Sequence, residues 1–331
     1  MSVLVTGGAG YIGSHMLLAL LDAGEEAVAL DDLSTGARWL APAGAAFVEA
    51  NVGDDAMLRR VFRDYGVEEV IHFAGSILIG ESIRNPLRYY SNNTANTLNL
   101  LRACTEEGVR RFIFSSTASV YGAAERVPIS EQAPQRSITP YGASMAMSER
   151  ILNDAAAAHG LSFVTLRYFN VAGADPKGRA GEIGKPTHLI KVAAQIAVGA
   201  RKEKLQIFGG DYPTPDGTAI RDYVHVSDLA KAHLQALKRL RQGGESATLN
   251  CGYGRGYSVF EVIQSFERVT GAFMPHEMAE RRPGDPAQLI ADNAAIRATL
   301  DWRPRYDDID YIVETAIDWE RRLARLPGDA A

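Results

Sequence analysis

Val5-Thr6-Gly7-Gly8-Ala9-Gly10-Tyr11-Ile12-Gly13 is the stretch on which the fold turns. It follows the apolar run Val3-Leu4-Val5 and opens a helix-like segment from Tyr11 to Ala23. Glycine lets the chain turn tightly and lets backbone N–H groups come close to a ligand. At a helix start those N–H groups suit a pyrophosphate, whose charge the helix dipole favours. The spacing fits both G-x-x-G-x-x-G (Gly7, Gly10, Gly13) and G-x-G-x-x-G (Gly8, Gly10, Gly13). A lone match of this kind is a weak signal, and the context is what strengthens it. Asp31 ends the next apolar run, about 20 residues past the last glycine, where a carboxylate accepts hydrogen bonds from the adenosine ribose and repels a 2′-phosphate. The pattern therefore predicts NAD rather than NADP; a solvated turn at Asp31-Asp32 is the competing reading.

Working outward, short apolar runs alternate with longer helical patterns through the first half. The runs are Val3–Val5, Ala27–Leu30, Ala46–Val48, Val70–Phe73, Phe112–Phe114 and Phe163–Leu166. Between them the periodicity predicts helices over Tyr11–Ala23, Asp55–Tyr65, Pro86–Glu107 and Tyr141–His159. Continuous apolar strands separated by helices mean a parallel sheet covered on both faces. The expected fold is thus α/β, a doubly wound Rossmann-type parallel sheet followed by a smaller C-terminal α/β domain. The alternation loosens after Asn170, which puts the dinucleotide domain at 1–170. Residues 171–331 form mainly the substrate domain, with some segments returning to the first. Ligands of such sheets bind at the carboxyl ends of the strands.

Composition excludes several classes. The 331 residues are 46% hydrophobic and 23% charged, and the formal net charge is −5. That argues against a nonspecific nucleic-acid or anionic-membrane binder, since phosphate backbones need a basic surface. No apolar run approaches the roughly 18 residues of a membrane helix, and the glycine turn at Gly7 leaves no room for a secretory leader, so the expectation is a cytoplasmic protein. Cys104 and Cys251 stand too far apart for a metal knuckle or a disulfide framework, and no metal site is expected.

Two further segments carry chemistry. Phe114-Ser115-Ser116-Thr117 ends a strand, and Tyr141-Gly142-Ala143-Ser144 begins a helix after Pro140. A lone Tyr before a helix is ordinarily packing or capping, but a hydroxyl and a phenol at such ends can meet a nicotinamide lying over the sheet. At this point the chain resembles the extended short-chain dehydrogenase/reductases and, within them, the UDP-glucose (UDP-galactose) 4-epimerase group. The resemblance covers nearly the whole chain. It rests on VTGGAGYIGSH, FAG at Phe73, YYSNNTANTLNLL from Tyr89, FSSTASVYG from Phe114, PYGAS from Pro140 and LRYFNVAGA from Leu166. The most specific block is LQIFGGDYPTPDGTAIRDYVHVSDLA from Leu205, with RRPGD ending at Asp285.

The resemblance implies that Tyr141 takes the proton of the sugar 4-OH and that Thr117 hydrogen-bonds the same hydroxyl. Hydride passes from C4 to a tightly held NAD; the 4-keto sugar swings about its phosphate linkage, and hydride returns to the opposite face. The implied cofactor residues are Gly7, Gly10, Tyr11, Ile12, Gly13, Asp31, Asp32, Asn51, Val52, Phe73, Ala74, Gly75, Asn92, Ser115 and Tyr168, with Tyr141 and position 145. Asn51-Val52 replaces the Asp-Ile of many members. The UDP-sugar falls to Thr117, Tyr141, Asn170, Leu189, Gln206, Phe208, Arg221, Arg282 and Asp285. Arg suits a diphosphate because its planar fork gives paired charge-assisted bonds. Leu289 aligns with the position that limits sugar size. Family members commonly pair helices as homodimers, which here points to Pro86–Glu107 and Tyr141–His159.

One departure bears on the chemistry itself. The family pattern is Tyr-x-x-x-Lys, and Met145 stands where the Lys belongs. A tyrosine of unperturbed pKa about 10 needs a nearby positive charge to act as a base at neutral pH. Met brings neither charge nor strong donor, and all seven lysines lie after residue 176. An introduced Lys→Met substitution, a natural enzyme using another charge, and a non-catalytic NAD/UDP-sugar-binding pseudoenzyme are all open on the sequence. So are 4-epimerases of UDP-GlcNAc, UDP-xylose or UDP-glucuronate. A 4,6-dehydratase is disfavoured, because Thr117 is followed by Ala118-Ser119 and not by an acid pair.

Overall fold

Seven parallel strands make the central sheet of the computed structural model, which describes residues 2–184, 187–282 and 284–326. They are β1 (Ser2–Thr6), β2 (Ala27–Asp31), β3 (Ala46–Glu49), β4 (Val67–His72), β5 (Arg111–Thr117), β6 (Ser162–Tyr168) and a late arrival, Ala247–Cys251. In space the order is the late strand, β6, β5, β4, β1, β2, β3. Order reverses between β1 and β4, and a crevice opens there beyond the strand ends. Successive side chains point to opposite faces, so Val3 and Val5 join one apolar layer while Leu4 joins the other. Both layers are closed by helices, which is why the strand sequences read as uninterrupted apolar runs.

Helices α1 (Tyr11–Asp22), α2 (Asp55–Tyr65), α3 (Ile79–Arg84), α4 (Pro86–Tyr89), α5 (Asn96–Glu106) and α6 (Pro140–His159) complete the first half. The helix expected over Pro86–Glu107 is not continuous. A π-helical turn, Tyr90–Ala95, separates α4 from α5. Apolar periodicity cannot register one widened turn, and here the turn is set by polar tertiary bonds: Asn93 binds Ser76 and Ser144, and Thr94 Oγ1 donates to the Ser144 carbonyl. π turns often mark functional positions for this reason.

Beyond β6 come β7 (Asn170–Ala172), α7 (Leu189–Ala197), β8 (Leu205–Phe208), β9 (Ile220–Arg221), β10 (Tyr223–His225) and α8 (Val226–Arg241). Ala247–Cys251 is β11; it is followed by β12 (Tyr257–Ser258), α9 (Val259–Thr270), β13 (His276–Ala279), β14 (Gln288–Leu289), α10 (Ala294–Thr299) and α11 (Ile309–Leu323). Two of these segments return to the first half: α8 packs on α1, and β11 extends the sheet beside β6. The remaining strands build small sheets, β7 with β10, β8 with β13, and β9 between β12 and β14.

Candidate active site

The glycine turn has no room for side chains. Gly7 has φ +71°, and a Cβ on it would lie 2.8 Å from the Ala74 nitrogen. A Cβ on Gly13 would lie 2.0 Å from the Gly7 carbonyl oxygen. The turn is thus pressed against Phe73-Ala74 at the end of β4. Gly10 is the N-cap of α1, with no side-chain cap and no acid in the first turn. The first N–H groups of a twelve-residue helix are left for an external acceptor, which suits an anion. Tyr11 and Ile12, both half-buried, lead that helix. Tyr11 donates its phenol to the Gly173 carbonyl at 2.6 Å, tying the helix to the loop beyond β7.

Asp31 has a structural part that sequence reasoning missed. Its carboxylate accepts from Ala9 N at 2.9 Å and from Leu33 N at 2.8 Å, closing the glycine turn from beneath. Burial pushes its pKa up, partly opposed by those two N–H groups. A carboxylate has about four acceptor positions, so room remains for ribose hydroxyls. Asp32 is exposed and accepts from Asn51 Nδ2 at 2.7 Å. From there a polar rail runs along the crevice edge: Asn96 bridges Asn51 and Asn92, and Asn92 reaches Ser76 Oγ at 3.0 Å. Val52 is buried in the apolar layer and Gly75 is exposed. The Cβ-free cradle, the uncapped helix and the carboxylate one strand away together fit a dinucleotide.

Thr117 and Tyr168 end neighbouring strands and sit opposite each other in the β5–β6 register. Thr139 caps α6 by accepting from Gly142 N at 3.2 Å, and Pro140 fixes its first turn. This sets Tyr141 over the end of β5. Tyr141 is 7% exposed and packs edge-on to Tyr89. Thr117 Oγ1 accepts from Ser119 N at 3.1 Å, which leaves its proton to donate toward the phenol. Burial raises the Tyr141 pKa above 10; among the described residues the Thr117 hydroxyl alone opposes that rise, and no cation does. Met145 follows one turn later on the same face, 9% exposed in the same apolar layer. Arg167 lies next to Tyr168 in sequence but is committed to Glu149, at 2.6 Å from Nη2 and 3.0 Å from Nε. Burial also pushes the Tyr168 pKa up.

The residues expected to hold the sugar nucleotide come from several elements. Arg221 pairs with Asp285, and the Arg282 guanidinium lies over the Phe208 ring, 3.7 Å from its centre. Gln206 shares the Phe208 face of β8 but is hydrogen-bonded to Glu277. Asn170 begins β7, where its N–H donates to the Asp222 carbonyl at 2.9 Å, next to Arg221, and Leu189 begins α7. Arg281, the neighbour of Arg282, is held by Asp211 and stacked on Tyr212. Asn93 was missed: its amide accepts from Ser76 N at 2.7 Å and donates to Ser144 Oγ at 3.0 Å, joining the β4 loop to the Tyr141 helix. The only signal was its place inside YYSNNTANT. Asn96 shares that signal, and Ser76 had none.

The sequence profile of the NAD dependent epimerase/dehydratase family matches residues 3–252. The UDP-glucose 4-epimerase of Azospirillum brasilense is 58% identical over 329 residues, 99% of this chain and 94% of that protein. UDP-glucose 4-epimerase from Brucella ovis in complex with NAD superposes with a TM-score of 0.92 at 44% identity, over 96% of this chain and 97% of that one. The UDP-Glc/GlcNAc 4-epimerase of Campylobacter jejuni gives a TM-score of 0.84 at 45% identity, over 97% and 99%. With a whole-length match in sequence and fold and a strand-end crevice built for a dinucleotide, the chain belongs to the NAD dependent epimerase/dehydratase family, among its UDP-glucose 4-epimerases.

Proposed function

We propose that this chain binds NAD in the crevice between β1 and β4, takes a UDP-hexose beside it, and inverts the sugar at C4 slowly because Met145 leaves Tyr141 without a cation. The observation that carries the reading is the buried Tyr141–Thr117 pair at the strand ends, beside a helix face on which the next turn is apolar. Bound NAD supplies the hydride acceptor and donor. The protein's own groups do the rest. Asp31 and the α1 N-terminus orient the adenosine and pyrophosphate; Asp32, Asn51, Asn92 and Ser115 line the path to Tyr168. Arg221, Arg282 and Asp285 hold the diphosphate and uridine, leaving the sugar free to turn. Thr117 donates toward the Tyr141 oxygen, which accepts the 4-OH proton.

A neutral phenol must first lose its own proton. With a pKa above 10, fewer than about one molecule in 1000 is anionic at pH 7, so turnover is slow without being abolished. UDP-GlcNAc is a second substrate, favoured by Leu289, which is half-buried and in register with Arg221. The dinucleotide half ends near 170 and the rest is mainly a substrate domain. A homodimer forms through Ile83, Leu87, Leu98 and Met147, apolar residues exposed on α3–α6. No helix among the described residues is long and apolar enough to cross a membrane; the cytoplasm is the proposed location. The test is mass spectrometry of nucleotides released on denaturation, with UDP-galactose conversion by the chain and by Met145→Lys. NAD release and restored turnover support the reading. No nucleotide binding refutes it, and binding without turnover in Met145→Lys favours a pseudoenzyme.

A further inference from the structure

His233 lies within α8, is fully buried, and belongs to no group assigned to the site above. Both ring nitrogens have partners. Nδ1 is 2.9 Å from the Leu229 carbonyl oxygen, one turn back. A carbonyl can only accept, so Nδ1 carries a proton. Burial pushes the imidazole pKa down to about 4, so at neutral pH there is one ring proton and Nε2 is bare. Ser115 Oγ stands 2.8 Å from that Nε2, and the serine must therefore donate its single proton to it. What Ser115 has left for any other neighbour is lone pairs.

That direction matters because of where Ser115 sits. It lies two residues before Thr117 on the same face of β5. Tyr168 ends the neighbouring strand β6 close to Ser115, and with the serine proton taken up by His233 a bond between the two hydroxyls can run only from the phenol to the serine. The Phe73 ring, just past β4, is 4.8 Å from the imidazole, so His233 also backs the wall beside the glycine turn. A buried histidine is ordinarily just a satisfied core residue. This one dictates proton direction at a serine on the crevice floor.

We propose that His233 is a positioning residue: by presenting Nε2 to Ser115 it turns the Ser115 and Tyr168 hydroxyls one way, so that the floor offers acceptors, matched to the carboxamide N–H2 of a nicotinamide. The inference rests on the reading of the crevice as a NAD site. It does not depend on Met145 or on turnover.

The test compares NAD with ADP-ribose, which lacks the nicotinamide, on the full-length protein. His233→Phe keeps the ring volume against Phe73 and removes the acceptor; Ser115→Ala removes the relay. Each should weaken NAD about 3- to 10-fold, the range of one neutral hydrogen bond, and leave ADP-ribose and UDP affinity within twofold. The double variant should be no weaker than the worse single. His233→Gln, which retains an acceptor, should recover most of the loss and covers the case in which His233→Phe does not fold. Nitrogen-15 spectra of the ring should show Nδ1–H and a bare Nε2 from pH 6 to 9. Equal loss of ADP-ribose and NAD, unchanged NAD affinity, multiplying effects, or a proton on Nε2 would each overturn the proposal. Failure of the unaltered chain to bind either ligand would instead sink the reading of the crevice, and this inference with it.

Discussion

Met145→Lys is the perturbation that isolates the missing charge. Position 145 is one helical turn from Tyr141, on the same buried face of α6. An ammonium held about 4 Å from a phenolate contributes about 4 kcal/mol at the effective dielectric of a protein site. At 1.36 kcal/mol per unit that lowers the phenol pKa by about 3 and raises its anionic fraction about 1000-fold at pH 7. The assay is conversion of UDP-galactose to UDP-glucose from pH 6 to 10. Because the working form of Tyr141 is the anion and burial holds its pKa above 10, the rate of the unaltered chain should climb about tenfold per pH unit across neutrality. The lysine variant should level off near pH 7 to 8, so the gap of about 1000-fold narrows as pH rises. A flat profile between pH 7 and 9 in the unaltered chain, or a gap that does not shrink with pH, would show that Tyr141 ionisation does not limit the reaction.

Other expectations follow from single contacts. Gly13→Ala places a Cβ against the Gly7 carbonyl; it should cost about 1–3 kcal/mol of stability, read by urea unfolding, and abolish NAD binding. Tyr11→Phe removes the bond to Gly173; it should lower stability by about 1 kcal/mol and speed amide exchange in the 173–180 loop before the rest of the chain. Glu149→Gln leaves Arg167 buried with its charge uncompensated, and should cost about 3–5 kcal/mol by the same unfolding measurement. Arg221→Ala should weaken UDP at least tenfold by calorimetry, with NAD affinity unchanged.

The sheet was legible because burial on both faces writes an unbroken apolar run into each strand, and the expected runs fall on β1 to β6 with shifts of a few residues at the ends. The run at Val70 begins at Val67 in the structure, since Glu68 and Glu69 interrupt the apolar text while Glu69 is neutralised by Arg111 and Arg241. The return of α8 and β11 to the first half could not be read from periodicity, because an amphipathic helix looks the same whichever body it packs against. Site residues were legible where backbone geometry demands a residue type, as at Gly7 and Gly13, or where a specific block carried them. Asn93 and His233 were not, since their importance lies in hydrogen bonds to residues far along the chain, Ser144 and Ser115. Asp31 was singled out as a candidate for its position, and its hold on Ala9 N emerged only from the structure.

The central claim is that Tyr141 keeps its proton at neutral pH for want of an ammonium at position 145. Carbon-13 NMR of the tyrosine ring Cζ, assigned by difference with Tyr141→Phe, reads that proton directly in NAD-loaded protein. The account predicts a Tyr141 signal that ionises about 3 pH units higher in the unaltered chain than in Met145→Lys. Ionisation of Tyr141 at the same pH in both proteins would contradict it.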